Sequence, residues 1–509
     1  MKGNRIFKAA FIVMIVTIAS RFLGIARDML VANNFGSGIF TDAYKVAVSV
    51  PDTIFAIIGL AISTVFIPML SKVKHEKGKE GMFKFANNII SILFVISMLF
   101  LALGLTFTED IVKVLVDYSG ERLELTVFLT KITLINIMFL AVNACYTAIL
   151  QVEEDFVIPS ILGLFFNAPI IIYLVLFKDI SIIGLTIANV IGNALRVLVQ
   201  IPSLYRQGYR IRPFIDLKDE KIKRMFILII PVVLGAGANS LNMVVDIRIA
   251  SSLVEGSVSA LDYAQKIIIF ANTAIATSIV SIMYPLMANK LNCGDRKGFL
   301  EYLSKSIVII ALILVPVAIG FVLLNEEIIT VFYKRGEFND IAVKMTSLAF
   351  MGYALSIPFV GVRDILNSSL FSMEKTKLTA INGAIGVFVN ITLSLLLYRR
   401  FGVLGIAIAS TIASMVTVVL LFISTVKLVG DFKAFDMIIK LSKIAFSAII
   451  MFFAVNIVNN IIGEQNPFIL IVIDGLFGAI VYFLACLILK IEELQEVIYI
   501  IRNKINVKK

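Results

Sequence analysis

A single histidine, His75, and three cysteines, Cys145, Cys293 and Cys486, are scattered through 509 residues. So few histidines leave no Ser/His/Asp arrangement, and the wide cysteine spacing indicates neither a disulfide framework nor a zinc site. Charge is scarce as well, at 16% of residues against 59% hydrophobic, and the mean hydropathy of +0.98 lies outside the range of a soluble domain. No glycine-rich phosphate loop is present to couple ATP hydrolysis to work. Alternating ten-residue strands are missing too, which excludes a transmembrane β-barrel and leaves helices. The composition is that of a membrane protein and not of an enzyme.

What is present is a series of apolar stretches of about twenty residues, each long enough to cross a hydrocarbon core of about 30 Å as a helix. Charged punctuation divides them into spans near residues 8–31, 41–71, 85–107, 125–150, 158–177, 180–204, 225–252, 259–289, 303–324, 342–371, 378–397, 402–427, 437–461 and 467–489. The expected fold is therefore an all-α polytopic membrane protein of about fourteen transmembrane helices. The first stretch carries Arg21, Arg27 and Asp28 without a small-residue cleavage site, so it reads as a retained helix.

The net charge of +11 follows a pattern. Lys2, Arg5 and Lys8, and the loops 72–84, 206–224 and 290–305, are basic and alternate with the acidic segment 109–124 and the mixed segment 325–340. Basic loops face the cytoplasm, which puts both termini there; the acidic stretch 153–155 is an exception. Such a distribution calls for membrane lipids and not for nucleic acid as the partner.

An internal repeat runs at an offset of about 220 residues. Asp42 through Pro68 and Lys72 resembles Asp262 through Pro285 and Lys290; Asn167 with Gly184 and Ala188 resembles Asn390 with Gly405 and Ala409. Six spans separate the equivalents, so the halves are expected to be parallel repeats around a central cavity, as in an alternating-access transporter. The expected division is a six-helix lobe over 1–206, a cytoplasmic basic linker over 207–224, a second six-helix lobe over 225–428, two additional helices over 429–490 and a cytoplasmic tail over 491–509.

Charges inside spans cost about 2.5–3.5 kcal/mol each on insertion scales, so they mark function. Arg21, Gly24 and Asp28 share a face of the first span; the second carries Asp42, Lys45 and Asp52 around Pro51. Asp246 and Arg248 lie in the seventh span, Ser259, Asp262 and Lys266 open the eighth, and Arg363 and Asp364 sit in the tenth. A cavity lined by Arg21, Arg27, Lys45 and Lys266 would attract a pyrophosphate, because the guanidinium fork donates two parallel hydrogen bonds. The bland alternative is mutual pairing, Arg27 with Asp28 and Arg248 with Asp246. Arg196 and Lys131, single charges near span ends, are expected to snorkel.

Ser20-Arg21-x-x-Gly24-x-x-Arg27-Asp28, Asn34-Phe35-Gly36, Thr41-Asp42-Ala43-Tyr44 and Phe66-Ile67-Pro68 resemble the MurJ (MviN) lipid II flippase family of the multidrug/oligosaccharidyl-lipid/polysaccharide exporter superfamily. Glu255 to Leu261 and Phe332 to Phe338 are similar to the same pattern. The resemblance implies translocation of undecaprenyl-pyrophosphate-linked disaccharide pentapeptide from the inner to the outer leaflet, with Arg21, Arg27 and Lys266 on the pyrophosphate. It implies that Asp28, Asp42 and Ser259 arrange the cavity or its gate, where Asp52 and Asp262 also belong, and that the last two helices form a groove for the lipid tail. It further implies a candidate sodium site at Asp246, Asn390 and Ser410, no other cofactor, and other cell-wall synthesis proteins as candidate partners. The driving force is expected from sodium or the membrane potential. Departures from the family are Phe55 and Gly59, where many members carry charge, and Lys266 in place of arginine. The rivals are a flippase for a capsule or exopolysaccharide unit, a drug or cation antiporter, and a membrane scaffold.

Overall fold

The computed structural model describes residues 2–430, 434–462 and 465–495, and among these there are helices and no strand. The basic end of the expected tail, Arg502, Lys504, Lys508 and Lys509, lies outside the described residues. Two compact units are present: the first runs to Ser259 and includes Arg335–Asn339, and the second takes Ala260–Lys334 and the chain from Asp340 on.

In the first unit the helices are α1 (Lys2–Phe35), α2 (Ile39–Ala61), α3 (Ile67–Thr106), α4 (Thr108–Leu115), α5 (Gly120–Thr133), α6 (Asn136–Val152), α7 (Val157–Leu176), α8 (Ile182–Arg206) and α9 (Glu220–Ser251). The second holds α10 (Ser257–Asn292), whose first turn belongs to the first unit, then α11 (Arg296–Leu323), α12 (Asn325–Tyr333), α13 (Asp340–Ala354), α14 (Ile357–Ser372), α15 (Thr376–Val429), α16 (Ala434–Ile462) and α17 (Pro467–Ile488). Several loops expected from their charge are wound into helix. Residues 72–84 continue α3, broken at Gly78 with φ +68°, and α15 runs through two expected spans, broken at Gly402 with φ +58°. Only glycine takes this left-handed backbone cheaply, so one residue breaks the ladder and the helix resumes.

Among the described residues ten stretches are long and apolar enough to cross a membrane. Dividing 39–106 and 376–429 at their breaks and adding α1 and α9 gives about fourteen, as the hydropathy pattern predicts. The outward faces agree with a lipid solvent: Phe453, Leu476 and Ile488 are each more than 60% exposed, a state that only a hydrocarbon environment favours.

A five-residue π turn, Ile62–Phe66, joins α2 to α3 immediately before Pro68. Proline's ring would clash with the carbonyl four residues earlier, and the wider turn relieves that clash. Ser63 and Thr64 hydroxyls donate to the carbonyls of Gly59 and Leu60 at 2.7–3.1 Å.

The repeat reaches the backbone. Glu154 (φ +64°) and Glu374 (φ +58°), neither of them glycine, take the left-handed conformation at equivalent turns. The short helices α4 and α12, both acidic in the first turn, start after the equivalent residues Phe107 (φ −105°) and Leu324 (φ −106°). Both lie in the segments 109–124 and 325–340, where eight or nine amphipathic residues give a weak periodic signal.

The exception to the charge pattern has a local cause. The Glu153 side chain is buried and ion-paired with Lys74 at 3.1 Å and with Lys79, both from the basic stretch of α3. Asp155 accepts from the Ile158 amide at 3.3 Å and the Ser203 hydroxyl at 2.6 Å, so it serves the start of α7. The stretch 207–219 is likewise fastened. The Asn88 side chain makes two 2.9 Å hydrogen bonds with the backbone of Asp216, while Asn87 donates to the Arg210 carbonyl at 2.9 Å and accepts from the Tyr209 hydroxyl at 2.6 Å.

Two of the sequence motifs meet at glycines. The Glu337 amide donates to the Asn33 carbonyl at 2.9 Å. A Cβ on Gly36 would lie 2.5 Å from the Glu337 carbonyl oxygen, and one on Gly336 would lie 2.3 Å from that of Asn33. Gly336→Ala is expected to cost about 1–2 kcal/mol for its positive φ and a further ~1–3 kcal/mol for the clash. Gly402→Ala, which meets nothing within 4 Å, should pay only for its φ. Melting of the purified variants in detergent checks this; equal losses would refute the close approach.

Candidate functional site

Within the first unit, α1, α2, α7 and α8 bring a cluster of charges together. The Arg27 guanidinium grips Asp28, with Nη2 at 3.0 Å from Oδ1 and 3.2 Å from Oδ2 and with Nε at 3.3 Å from Oδ1. Lys45 Nζ from α2 lies 3.8 Å from the same Oδ1. Asp28 is buried, and the two cations are largely so. The pairing of Arg27 with Asp28 is thus present, and a second cation crowds the same carboxylate.

Arg196 of α8 joins this cluster, which sequence reasoning missed by treating it as a snorkelling charge. Its guanidinium carbon stands 3.9 Å above the centre of the Phe166 ring, while that of Arg27 lies 5.4 Å from the same ring. Its charged neighbours are Asp52 and Arg27. Nη1 donates to Asn193 Oδ1 at 3.2 Å, but Nε is buried without a hydrogen-bond partner. The arrangement depends on Gly192, where a Cβ would stand 2.5 Å from the Phe166 carbonyl oxygen. A signal existed in the sequence: Asn189, Asn193, Arg196 and Gln200 form a polar stripe at helical spacing in an apolar span. Lys131, by contrast, is exposed.

Arg27, Lys45 and Arg196 therefore face Asp28 and Asp52, leaving the named group with excess positive charge. Fixed cations stacked on an aromatic ring, with an unused buried N–H, have the chemistry to hold a multivalent oxyanion. Arg21 is exposed and makes no ion pair among the described residues. In the second unit, Lys266 pairs with Asp262 one turn away at 2.9 Å.

Asp42 is the centre of a second constellation. Fully buried at the start of α2, it accepts from Arg122 Nη2 at 2.7 Å, the Gly256 and Ser259 amides at 2.8 Å and the Ser259 hydroxyl at 2.7 Å. Ser37 Oγ lies 2.8 Å from Ser259 Oγ and donates to the Gly256 carbonyl at 2.8 Å. Arg122 stacks on Tyr118, its guanidinium carbon 3.6 Å from the ring centre. Burial, and then the Asp42 charge, push the Tyr118 hydroxyl above its ordinary range and keep it neutral. The sequence pointed to Asp42 and Ser259, but not to Arg122 or the backbone donors.

Arg248 pairs with Asp117 at 3.1 Å, not with Asp246, and donates to the Lys113 carbonyl at 2.7 Å and to that of Val116, closing the end of α4. Asp246 accepts from Asn242 at 3.2 Å. In the second unit Asn390 Nδ2 donates to Ser410 Oγ at 2.9 Å, and the Ser394 hydroxyl donates to Asn390 Oδ1 at 3.3 Å. Arg363 and Asp364 pair at 3.4 Å. Among the described residues no cluster of three His, Cys, Asp or Glu side chains is placed to hold a metal ion.

A family model described as lipid II flippase MurJ matches residues 31–473. A probable lipid II flippase MurJ of Buchnera aphidicola subsp. Baizongia pistaciae is 27% identical over 429 residues, covering 82% of this chain and 83% of its own. The one from Vibrio cholerae is 26% identical over 435 residues, with 82% and 83% covered. A solved lipid II flippase MurJ in an inward closed conformation superposes with a TM-score of 0.83 at 27% identity, covering 94% of this chain and 98% of that one. An inward-facing MATE multidrug transporter of the MOP superfamily, at 13% identity and a TM-score of 0.70 over 84% of this chain and 99% of its own, shares the fold. A match over most of the chain, on a helical fold with these motifs in place, makes this protein a member of the lipid II flippase MurJ family.

Proposed function

We propose that this chain moves lipid II, the undecaprenyl-pyrophosphate-linked peptidoglycan precursor, from the inner to the outer leaflet of the bacterial cytoplasmic membrane. The observation that carries the reading is the cluster of Arg27, Lys45 and Arg196 around Asp28 and Phe166. The substrate's pyrophosphate takes the place of the carboxylate in the guanidinium fork and uses the open Nε of Arg196. Lys266, now held by Asp262, and the exposed Arg21 are further contacts. Asp42 acts as a latch through the turn at Gly256–Ser259, with Asp52 and Asp262 adjusting the charge of the cavity. Both termini face the cytoplasm. α16 and α17 hold the lipid tail.

Without an ATP-binding motif, the work is drawn from the membrane potential or a sodium gradient, with Asp246, Asn390 and Ser410 as the cation's ligands. The test is complementation of a bacterium depleted of its own flippase, together with labelling of lipid II in the outer leaflet. Rescue with restored labelling is expected. A well-expressed protein that rescues neither growth nor labelling would refute this reading.

A further inference from the structure

Far along the chain, α17 carries a carboxylic acid that nothing above employs. Asp474 sits two turns into a helix of otherwise apolar residues and is 1% exposed. The Asn459 side chain of α16 is its hydrogen-bonding neighbour, and the Asn459 Oδ1 is buried without a partner among the described residues. Asn459 is a neutral partner, and a charged carboxylate buried beside a neutral amide with no cation costs far more than a protonated one.

Among the described residues the helices packed on α17 place no cation beside Asp474. α17 packs on α16, α12 and α11. The titratable groups of α16, Asp436, Lys440 and Lys443, all lie in its first third; Lys440 is held by Glu492 and Glu493, each at 2.7 Å. On α11, Arg296, Lys297, Glu301 and Lys305 occupy the first ten residues, and the rest is apolar or uncharged. Tyr482 of α17 donates to the Leu312 carbonyl at 2.9 Å, and Cys486 lies a turn beyond. α12 presents only acids, Glu326 and Glu327. Glu327 is half-buried, and its carboxyl is raised above the usual range by burial, then by Glu326 and Asp474.

We infer that Asp474, with Asn459 beside it and Glu327 as its connection to solvent, is a proton-binding site of the α16–α17 pair. A proton fits better than a metal ion. One carboxylate and one amide offer too few oxygens to replace the hydration shell of sodium, whereas one proton neutralises the acid. Protonation favours the close packing of α17 on α16 and α12; loss of the proton places like charges at Asp474 and Glu327 and favours separation. Binding is a property of the chain itself. Coupling it to transport rests on the flippase reading.

The experiment is infrared titration of the purified full chain in lipid nanodiscs, with pH varied at constant ionic strength. A carboxylic-acid carbonyl stretch present at neutral pH is expected, shifting on transfer to deuterium oxide and lost in Asp474→Asn. Glu327→Gln should keep the band and slow its exchange with deuterium. Asp474→Asn mimics the neutral acid in shape and should melt no lower than the unmodified protein, so loss of the band will not reflect misfolding. Absence of the band in the unmodified protein would overturn the proposal, as would its abolition by sodium at fixed pH, which would assign a metal cation. A second arm compares lipid II translocation across a range of pH, where Asp474→Asn should flatten the dependence. If Asp474 binds a proton while no lipid II moves, the flippase reading fails and the site stands.

Discussion

Asp42→Ala is expected to destabilise the protein by about 3–5 kcal/mol, the cost of removing one partner from a buried ion pair. The loss is large because Asp42 answers several donors at once. Without it the Arg122 guanidinium, whose side chain is only 15% exposed, keeps its charge with no carboxylate, and the Gly256 and Ser259 amides lose their acceptor. Asp42→Asn should fall between, since one amide oxygen still accepts but the ionic component is gone. The diagnostic variant is Asp42→Leu with Arg122→Met, which removes both charges together. It should recover part of the melting temperature lost by Asp42→Ala, as neutral replacement of a buried pair often does. If the double variant is no more stable than Asp42→Ala, the backbone donors, and not the ion pair, account for the cost. Growth rescue by Asp42→Ala is expected to be lost in parallel.

The two constellations differ in how much of them the sequence could disclose. Charges in apolar spans announced Arg27, Asp28, Lys45 and Asp42, because each violates the surrounding hydropathy. Arg196 violated it equally, yet its place near a span end suggested snorkelling; only the contact of α7 with α8 at Gly192 shows that Phe166 lies under its guanidinium. Arg122 was invisible for another reason. It stands in the acidic segment between spans, where a charge is ordinary, and it becomes notable only when folding places it 2.7 Å from Asp42. Backbone donors such as the Gly256 amide have no signature in a side-chain pattern. The fold was more accessible: hydropathy gave the spans and the offset gave the repeat, and the equivalent turns at Glu154 and Glu374 carry that repeat into the dihedral angles. Charged stretches such as 72–84 were misread as loops, since helix propensity depends weakly on charge.

Arg27→Ala and Asp28→Asn, neighbours in one ion pair, are expected to act in opposite directions on substrate affinity. Arg27 offers its fork to Asp28 in this state, so a pyrophosphate must displace that carboxylate before it gains two charge-assisted hydrogen bonds. Removing the guanidinium forfeits those bonds, each worth about 1.5–3 kcal/mol to a charged partner. Affinity for lipid II should fall by about 100-fold or more and growth rescue should fail. Arg27→Lys should retain partial function, because a point charge attracts the anion without matching its geometry. Asp28→Asn removes the competitor and leaves Arg27, Lys45 and Arg196 without its charge. Binding should tighten while translocation slows, since a head group held more firmly in the cavity leaves it less readily and gains no added stabilisation at the barrier. Binding measured on the purified variants, alongside outer-leaflet labelling of lipid II in cells, separates the two effects. Should Asp28→Asn weaken binding as Arg27→Ala does, Asp28 holds the guanidinium in its productive pose instead of competing for it, and displacement by the pyrophosphate is wrong.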